Sequence, residues 1–134
     1  MIVIIGAGES GIGAALLAKK LDQPVYVTDV GVIKEEYKEE LISNKIDFEE
    51  SGHDFDRLKN AKLAIVSPGI PDGANPIKVL MEAGVEIISE IEYGYRNTDA
   101  TIVAITGSNG KTTTTGLIYH LETIYINNIV IPIQ

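Results

Sequence analysis

The chain has 134 residues, contains no cysteine and carries a formal net charge of −8 at pH 7. This length suits one domain, or one domain with part of another, and the acidic balance argues against nucleic acid as a partner. Without cysteine, disulfide, thiolate and cysteine-zinc chemistry are excluded. No apolar run approaches the roughly 18 residues of a membrane span and no secretory leader is visible, so we expect a cytoplasmic protein that does not enter a membrane.

The chain opens with a strand, a glycine loop and a helix. Ile2 to Ile5 is apolar, Gly6 to Gly11 reads Gly-Ala-Gly-Glu-Ser-Gly, and apolar residues recur at helical spacing from Ile12 to Leu21. A second strand, Val25 to Thr28, ends at Asp29, about 20 residues beyond the glycine loop, where dinucleotide-binding folds hold a ribose. This order predicts a nucleotide-binding α/β fold. The alternative is that the glycines only permit close packing of helix on strand.

Further strands and helices alternate through the first hundred residues. Strands are predicted at Ile46–Glu49, Leu63–Val66 and Val85–Ile88, and helices at Ile33–Asn44, Pro76–Ala83 and Ser89–Arg96. The loop after the fourth strand, Ser67 to Pro71, is expected to face the same crevice as the first glycine loop, because ligands of parallel sheets bind beyond the carboxyl ends of the strands. A rigid Pro/Gly turn is the alternative for this loop.

A second glycine loop follows the apolar run Thr101 to Ile105 and precedes a helix-like segment, Gly116 to Glu122. The loop reads Gly107-Ser108-Asn109-Gly110-Lys111-Thr112-Thr113. Its backbone N–H groups and the helix N-terminus suit phosphate, Lys111 can reach the terminal phosphates, and the Thr112 hydroxyl can ligate magnesium. The match to G-x-x-x-x-G-K-[ST] is imperfect, since Ile105 stands where the first glycine belongs. An ordinary turn with a solvated lysine is the alternative.

These patterns predict an α/β protein of two units. Residues 1–97 form a Rossmann-like doubly wound parallel sheet of about five strands. Residues 98–134 supply the first strand, P-loop and helix of a truncated second α/β domain, and the polar segment Asn97 to Asp99 marks the boundary. The Ile-rich tail from Glu122 to Gln134 is too short to complete that domain. Neither His53 nor His120 has a metal-ligand partner in the sequence, and both are assigned to structure.

Taken together, the motifs resemble the Mur ligases, the ATP-dependent amide ligases of peptidoglycan precursor synthesis. Within this family the chain is most similar to members that act on UDP-N-acetylmuramoyl-L-alanine and D-glutamate. The segments that carry the resemblance are Gly6–Gly11, Thr28–Asp29, Ser67–Ile70 with Asn75–Pro76, Glu90–Glu92 and Ala104–Thr113.

The resemblance implies two sets of binding residues. The UDP part of UDP-N-acetylmuramoyl-L-alanine would be held by Gly8, Ser10 and Gly11 at the diphosphate, Thr28 and Asp29 on the uracil side, and Ser67 and Gly69 in the same pocket. ATP and magnesium would be held by Gly107, Ser108, Asn109, Gly110, Lys111, Thr112 and Thr113, with Lys111 catalytic and Thr112 a metal ligand. The implied chemistry activates the alanine carboxylate as an acyl phosphate, which the amine of D-glutamate then attacks.

Two departures from the family pattern bear on these expectations. Glu9 stands where the family carries an apolar residue, and we expect its side chain to point away from a bound diphosphate. The chain also stops before the second magnesium-binding carboxylate, the carbamylated lysine and the C-terminal domain of the family. We therefore expect a fragment that binds the UDP moiety and has no ligase activity by itself.

Two other functions are compatible with parts of the sequence. A NAD- or nucleotide-sensing Rossmann module, with Asp29 on the adenosine ribose, would explain the first glycine loop but leaves Gly107 to Thr113 without a role. An amide ligase of the folylpolyglutamate synthase type would share only the second glycine loop, and such enzymes lack a UDP-binding domain before it.

Overall fold

The computed structural model describes residues 1–100, 102 and 105–125. The chain divides into two compact units, Met1–Asn97 and Thr98–Gln134. The strand predicted at Thr101–Ile105 and the tail beyond Tyr125 lie largely outside the described residues. Among the helices that are described, none is both long and apolar enough to cross a membrane.

A five-stranded parallel sheet forms the centre of the first unit, in the order β3-β2-β1-β4-β5. The strands are β1 Ile2–Ile5, β2 Val25–Thr28, β3 Asp47–Glu49, β4 Leu63–Val66 and β5 Glu86–Ser89. The helices are α1 Glu9–Lys20, α2 Glu35–Ser43, α3 Phe55–Lys59, α4 Asn75–Glu82 and α5 Glu90–Arg96, and α6 Lys111–Tyr125 lies in the second unit. The predicted Rossmann-like sheet of about five parallel strands is therefore confirmed.

The central strand, β1, is buried on both faces. Ile2 and Ile4 join an apolar cluster with residues of α1, α2 and α5. Val3 and Ile5 point to the other face, where they join a cluster that includes Leu58 of α3 and Leu80 of α4. This double coverage explains why β1 reads as a continuous apolar run and not as an alternating one.

Helix α3 is absent from the sequence-based prediction. Its N-cap is Asp54, whose carboxylate accepts hydrogen bonds from the N–H groups of Asp56 and Arg57 at 3.0 and 3.1 Å. The helix buries Leu58 completely against the sheet. The Asp cap was a visible signal, but five residues are too few to show a helical period.

Two helices begin earlier than the sequence predicts. Helix α1 begins at Glu9, three residues before the expected start at Ile12, and α6 begins at Lys111, ahead of Gly116. The first turn of α1 contains Ser10 and Gly11 and that of α6 contains three threonines, residues whose local propensity does not favour a helix. The five strands predicted between residues 2 and 88 and the other predicted helices agree with the structure to within two residues at each end.

Hydrogen bonds of the Thr28 side chain connect the loop after β3 to the end of β2. The Thr28 hydroxyl donates to the carbonyl oxygen of Gly52 at 3.0 Å and lies 2.8 Å from Nδ1 of His53. A hydroxyl has one proton to donate, and the carbonyl can only accept it. Nδ1 of His53 must therefore carry the proton shared with Thr28, which fixes the neutral ring in its Nδ1–H tautomer.

Burial lowers the pKa of His53 below its ordinary value, and the nearby carboxylates of Asp29 and Glu49 offset this effect only in part. The folded state thus resists protonation of this ring over a range in which the unfolded chain accepts a proton. Stability that depends on neutral His53 is complete above the unfolded pKa of about 6.5 and is lost as the pH falls from that value through the lower pKa of the folded state.

We expect the free energy of unfolding to decrease when the pH is lowered from about 7.5 to about 5.5. Urea unfolding followed by circular dichroism would measure it at both pH values. The control is His53→Asn, whose side-chain amide can still donate to Thr28 but does not titrate. The variant should show a flatter pH dependence, and equal losses in the two proteins would show that His53 is not responsible.

Candidate functional site

The two loops that were predicted to share a crevice meet at the carboxyl edge of the sheet. They follow β1 and β4, the neighbouring strands from which the chain continues in opposite directions across the sheet. The Ser67 hydroxyl donates to the carbonyl oxygen of Gly6 at 3.2 Å. A Cβ added to Gly6 would lie 2.9 Å from the Ser67 side chain. In open parallel sheets this switch point is the usual place for a ligand.

The three glycines of the first loop have different surroundings. Gly6 has φ +100°, a conformation that favours glycine. A Cβ on Gly11 would lie 2.0 Å from the carbonyl oxygen of Gly6, so only glycine allows α1 to pack this closely on the end of β1. A Cβ on Gly8 would meet no protein atom within 4 Å. Gly8 is exposed, and its open side is where a ligand could approach the backbone.

The N-terminus of α1 carries no side-chain cap. Its N-cap residue is Gly8, which offers no acceptor to the N–H groups of the first turn. Helices α2 and α4 also lack a side-chain cap, whereas Asp54 and Ser89 cap α3 and α5 with side-chain oxygens. The first N–H groups of a helix have no acceptor within the helix, and the helix dipole adds partial positive charge there. The end of α1 is therefore suited to an anionic ligand.

Asp29 joins the loop after β1 to the loop after β2. One carboxylate oxygen accepts a hydrogen bond from the N–H of Ala7 and the other accepts one from the N–H of Gly31, both at 2.7 Å. The structure thus places this half-buried acid at the crevice edge and gives it a positioning role in the free protein. A carboxylate has further lone pairs, so Asp29 can still accept a hydrogen bond from a ligand.

Thr28 differs from the expectation of a direct ligand contact. Its side chain is 0% exposed and its hydroxyl is engaged with Gly52 and His53. Side chains alternate along a strand, and the last residue of β2 faces the same side of the sheet as Tyr26 and not its open edge. Thr28 therefore has no surface to offer a ligand, and it acts on the site only by holding the neighbouring loop.

Ser67 and Gly69 form the opposite wall. The N–H of Ser67 donates to Ile5 at 3.0 Å, and the N–H of Ile70 donates to the carbonyl of Ser67 at 3.0 Å, which closes a tight turn. Ser67 is half-buried and Gly69 is exposed. The loop after β4 is thus anchored to β1 at its first residue and open at its tip.

Ser10 lies in the first turn of α1, and its exposed hydroxyl donates to Oε1 of Glu90 at 2.6 Å. Glu90 is the first residue of α5 and follows the last residue of β5. The sequence-based site did not include Glu90, because 80 residues separate it from Ser10. The available signal was its position directly after a strand of the parallel sheet, where the carboxyl ends of the strands converge.

The second glycine loop leads directly into α6. Gly110 has φ +78°, and Nζ of Lys111 donates to the carbonyl oxygen of Gly107 at 2.7 Å. Thr112 and Thr113 are exposed in the first turn of the helix. A glycine turn, a lysine that folds over it and a helix N-terminus are the parts that a phosphate loop requires.

The donor set for a magnesium ion is incomplete in the part of the chain that the structure describes. There, no group of three or more His, Asp or Glu side chains could hold a metal ion. The exposed hydroxyl of Thr112 at the start of α6 fits the single ligand that a phosphate loop contributes to a magnesium nucleotide, whose phosphates supply others.

A cavity of about 450 Å³ lies at the opposite end of the sheet. It is lined by the first residues of β1 and β4 together with Tyr93, Arg96 and Asn97 near the end of α5. The glycine loops and Asp29 do not contribute to it. The amino end of a parallel sheet is not where such folds bind nucleotides, so we do not assign this cavity to the function.

Known proteins similar to the chain agree in family. Residues 1–75 match the family model of the MurD N-terminal domain. The UDP-N-acetylmuramoylalanine--D-glutamate ligase of Bacteroides thetaiotaomicron is 52% identical over 120 residues, which cover 90% of this chain and 27% of the relative. The same ligase of Bacteroides fragilis is 51% identical with the same coverage. The chain thus spans about a quarter of the length of the curated relatives it matches.

A solved structure supports the fold. The UDP-N-acetylmuramate:L-alanyl-gamma-D-glutamyl-meso-diaminopimelate ligase of Neisseria meningitides superposes with a TM-score of 0.70 at 24% identity, over 91% of this chain and 39% of that one.

The resemblance to the Mur ligases inferred from the sequence motifs is confirmed, because the family model alone covers more than half of the residues. The chain belongs to the MurD N-terminal domain family of the Mur ligases.

Proposed function

We propose that this chain is the N-terminal, UDP-binding part of the ligase that adds D-glutamate to UDP-N-acetylmuramoyl-L-alanine in peptidoglycan biosynthesis. The observation that carries the proposal is the meeting of the first glycine loop and the Ser67 loop at the switch point of the sheet, with the N-terminus of α1 left without a side-chain cap. The names of the curated relatives support the choice of substrates.

The diphosphate of the ligand is proposed to lie at the N-terminus of α1. There the open side of Gly8 allows close approach to the backbone, and the Ser10 hydroxyl is a further donor. Asp29 accepts hydrogen bonds from the uridine side, and Ser67 and Gly69 form the other wall. Because the crevice carries the carboxylates of Asp29 and Glu90, backbone N–H groups must supply most of the attraction for the phosphates.

The second glycine loop is proposed to bind the phosphates of ATP in the whole protein. ATP would supply the phosphoryl group that activates the alanine carboxylate. The residues of this chain bind and orient it: the backbone from Gly107 to Gly110 cradles the phosphates, and Thr112 ligates magnesium. Lys111 leaves the Gly107 carbonyl that it now contacts and offsets charge on the transferring group.

A polypeptide limited to these 134 residues is expected to bind the UDP compound and not to form the amide bond, because it matches only 27% of the length of the curated ligases. The whole ligase is proposed to act in the cytoplasm, where ATP is available.

Calorimetric titration of the 134-residue chain with UDP-N-acetylmuramoyl-L-alanine and with NAD tests the proposed site. We expect measurable binding of the UDP compound and none of NAD. Binding of NAD without binding of the UDP compound would instead support a dinucleotide-sensing module and would overturn the proposal.

Substituting Gly8→Ala should weaken binding of UDP-N-acetylmuramoyl-L-alanine by about tenfold or more, because the added methyl group occupies the open side that the diphosphate approaches. The fold should tolerate the change, since that methyl group meets no protein atom within 4 Å; the expected loss of stability is about 1 kcal/mol or less, from the poorer N-cap. Titration calorimetry and thermal unfolding measure the two effects.

Gly13→Ala is the matched control for this substitution. Gly13 lies within α1, the helix that Gly8 precedes; it is exposed, and a Cβ added to it would also meet no protein atom within 4 Å. Its replacement should leave ligand affinity unchanged and should stabilise the helix slightly. Equal affinities of the two variants would contradict a diphosphate site at Gly8.

In the full-length ligase, Lys111→Ala should lower D-glutamate-dependent ADP formation by about 100-fold or more, as removal of a charge-stabilising group at a reacting centre commonly does. Affinity for the UDP substrate should not change, because the UDP site belongs to the other unit of the chain. A variant with normal turnover, or one that loses UDP binding in parallel, would remove Lys111 from its proposed role.

A further inference from the structure

The hydrogen bond from Ser10 to Glu90 joins the first turn of α1 to the first turn of α5. At 2.6 Å between Oγ and Oε1, it is within the range of hydroxyl hydrogen bonds to an ionised carboxylate. A serine hydroxyl can donate one hydrogen bond, and in the free protein Ser10 donates it to Glu90. The donor that the proposed diphosphate site requires is therefore already occupied.

A phosphate bound at Ser10 would compete with Glu90 for that proton and would also be repelled by it. A phosphate oxygen that replaced Oε1 as the acceptor would lie within about 4–6 Å of the carboxylate unless the side chain of Glu90 rotated away. Like charges at this distance repel appreciably near a protein surface, and salt reduces the repulsion. The strength of the repulsion grows with the charge on the phosphate group.

No basic side chain offsets Glu90 among the residues that the structure describes: it takes part in none of the ion pairs found there. Glu92, on the same helix, pairs with Arg96 at 2.7 Å, and Arg96 also contacts Glu86 at 2.7 Å. Among the described residues, the carboxylate of Glu90 has Ser10 as its side-chain partner and no cation beside it. The charge of Glu92 is offset by Arg96 of the same helix.

We propose that Glu90 is a specificity-determining residue of the nucleotide site, which favours a diphosphate capped by a sugar over a free nucleoside diphosphate. A capped diphosphate carries about two negative charges at neutral pH and a free terminal phosphate adds most of another. The carboxylate of Glu90 thus penalises free UDP more than a UDP-linked sugar. This inference rests on the proposed binding of a UDP compound at the first glycine loop.

The test compares the wild-type chain with Glu90→Gln and Glu92→Gln in titrations with uridine, UDP and UDP-N-acetylmuramoyl-L-alanine. Glu90→Gln keeps a side-chain oxygen that can accept from Ser10, removes the charge and replaces the second carboxylate oxygen with an amide NH2 group. We expect this change to tighten UDP binding by about tenfold and binding of the sugar-linked compound by about threefold. Uridine, which has no phosphate, should bind equally to all three proteins.

The gain for UDP should shrink as salt is raised, because the repulsion acts between partly exposed groups. Glu92→Gln is the matched control and should change none of the affinities. Unchanged or weaker UDP binding by Glu90→Gln, with normal binding by the wild-type chain, would overturn this inference alone. Failure of the wild-type chain to bind any of the three uridine compounds would overturn the proposed function and this inference together.

Discussion

The close approach of α1 to the end of β1 is the constraint on which the rest of the site depends. Gly11 lies so near the carbonyl of Gly6 that a methyl group would overlap that oxygen at 2.0 Å. This contact brings the first turn of the helix directly over the carboxyl edge of the sheet. It fixes where Ser10 stands and leaves the open side of Gly8 toward solvent. A wider helix-to-strand spacing would move the donors away from the loop after β4.

Polar contacts between loops then hold the edge in one arrangement. Asp29 ties the loop after β2 to Ala7, Ser67 ties the loop after β4 to Gly6, and Glu90 ties the start of α5 to Ser10. Each of these bonds crosses from one strand-end loop or adjoining helix start to another. The free protein therefore uses its own carboxylates and hydroxyls to order a crevice lined with acidic groups, in which any phosphate must rely on backbone N–H groups and the dipole of α1.

Much of this arrangement was accessible from the sequence. Continuous apolar runs such as Ile2 to Ile5 identified the strands, and the spacing from the first glycine loop to Asp29 indicated the fold. The direction of individual side chains was not accessible. The family resemblance implied that Thr28 contacts the ligand, yet the alternation along β2 turns its side chain inward. Glu90 lies at the site only because the fold brings it beside Ser10, and no local sequence pattern relates these two residues, which are 80 positions apart.

The absence of a side-chain cap at the N-terminus of α1 connects the stability of the protein to the concentration of its proposed ligand. With glycine as its N-cap, α1 forgoes roughly a few tenths of a kcal/mol that Ser or Asp at that position would contribute. In the proposed complex, the phosphate oxygens accept hydrogen bonds from the N–H groups of the first turn of α1, as a capping side chain would. The bound ligand therefore stabilises this helix. Folding and precursor concentration become thermodynamically linked: the more nucleotide-sugar is present, the larger the fraction of chains that stay folded.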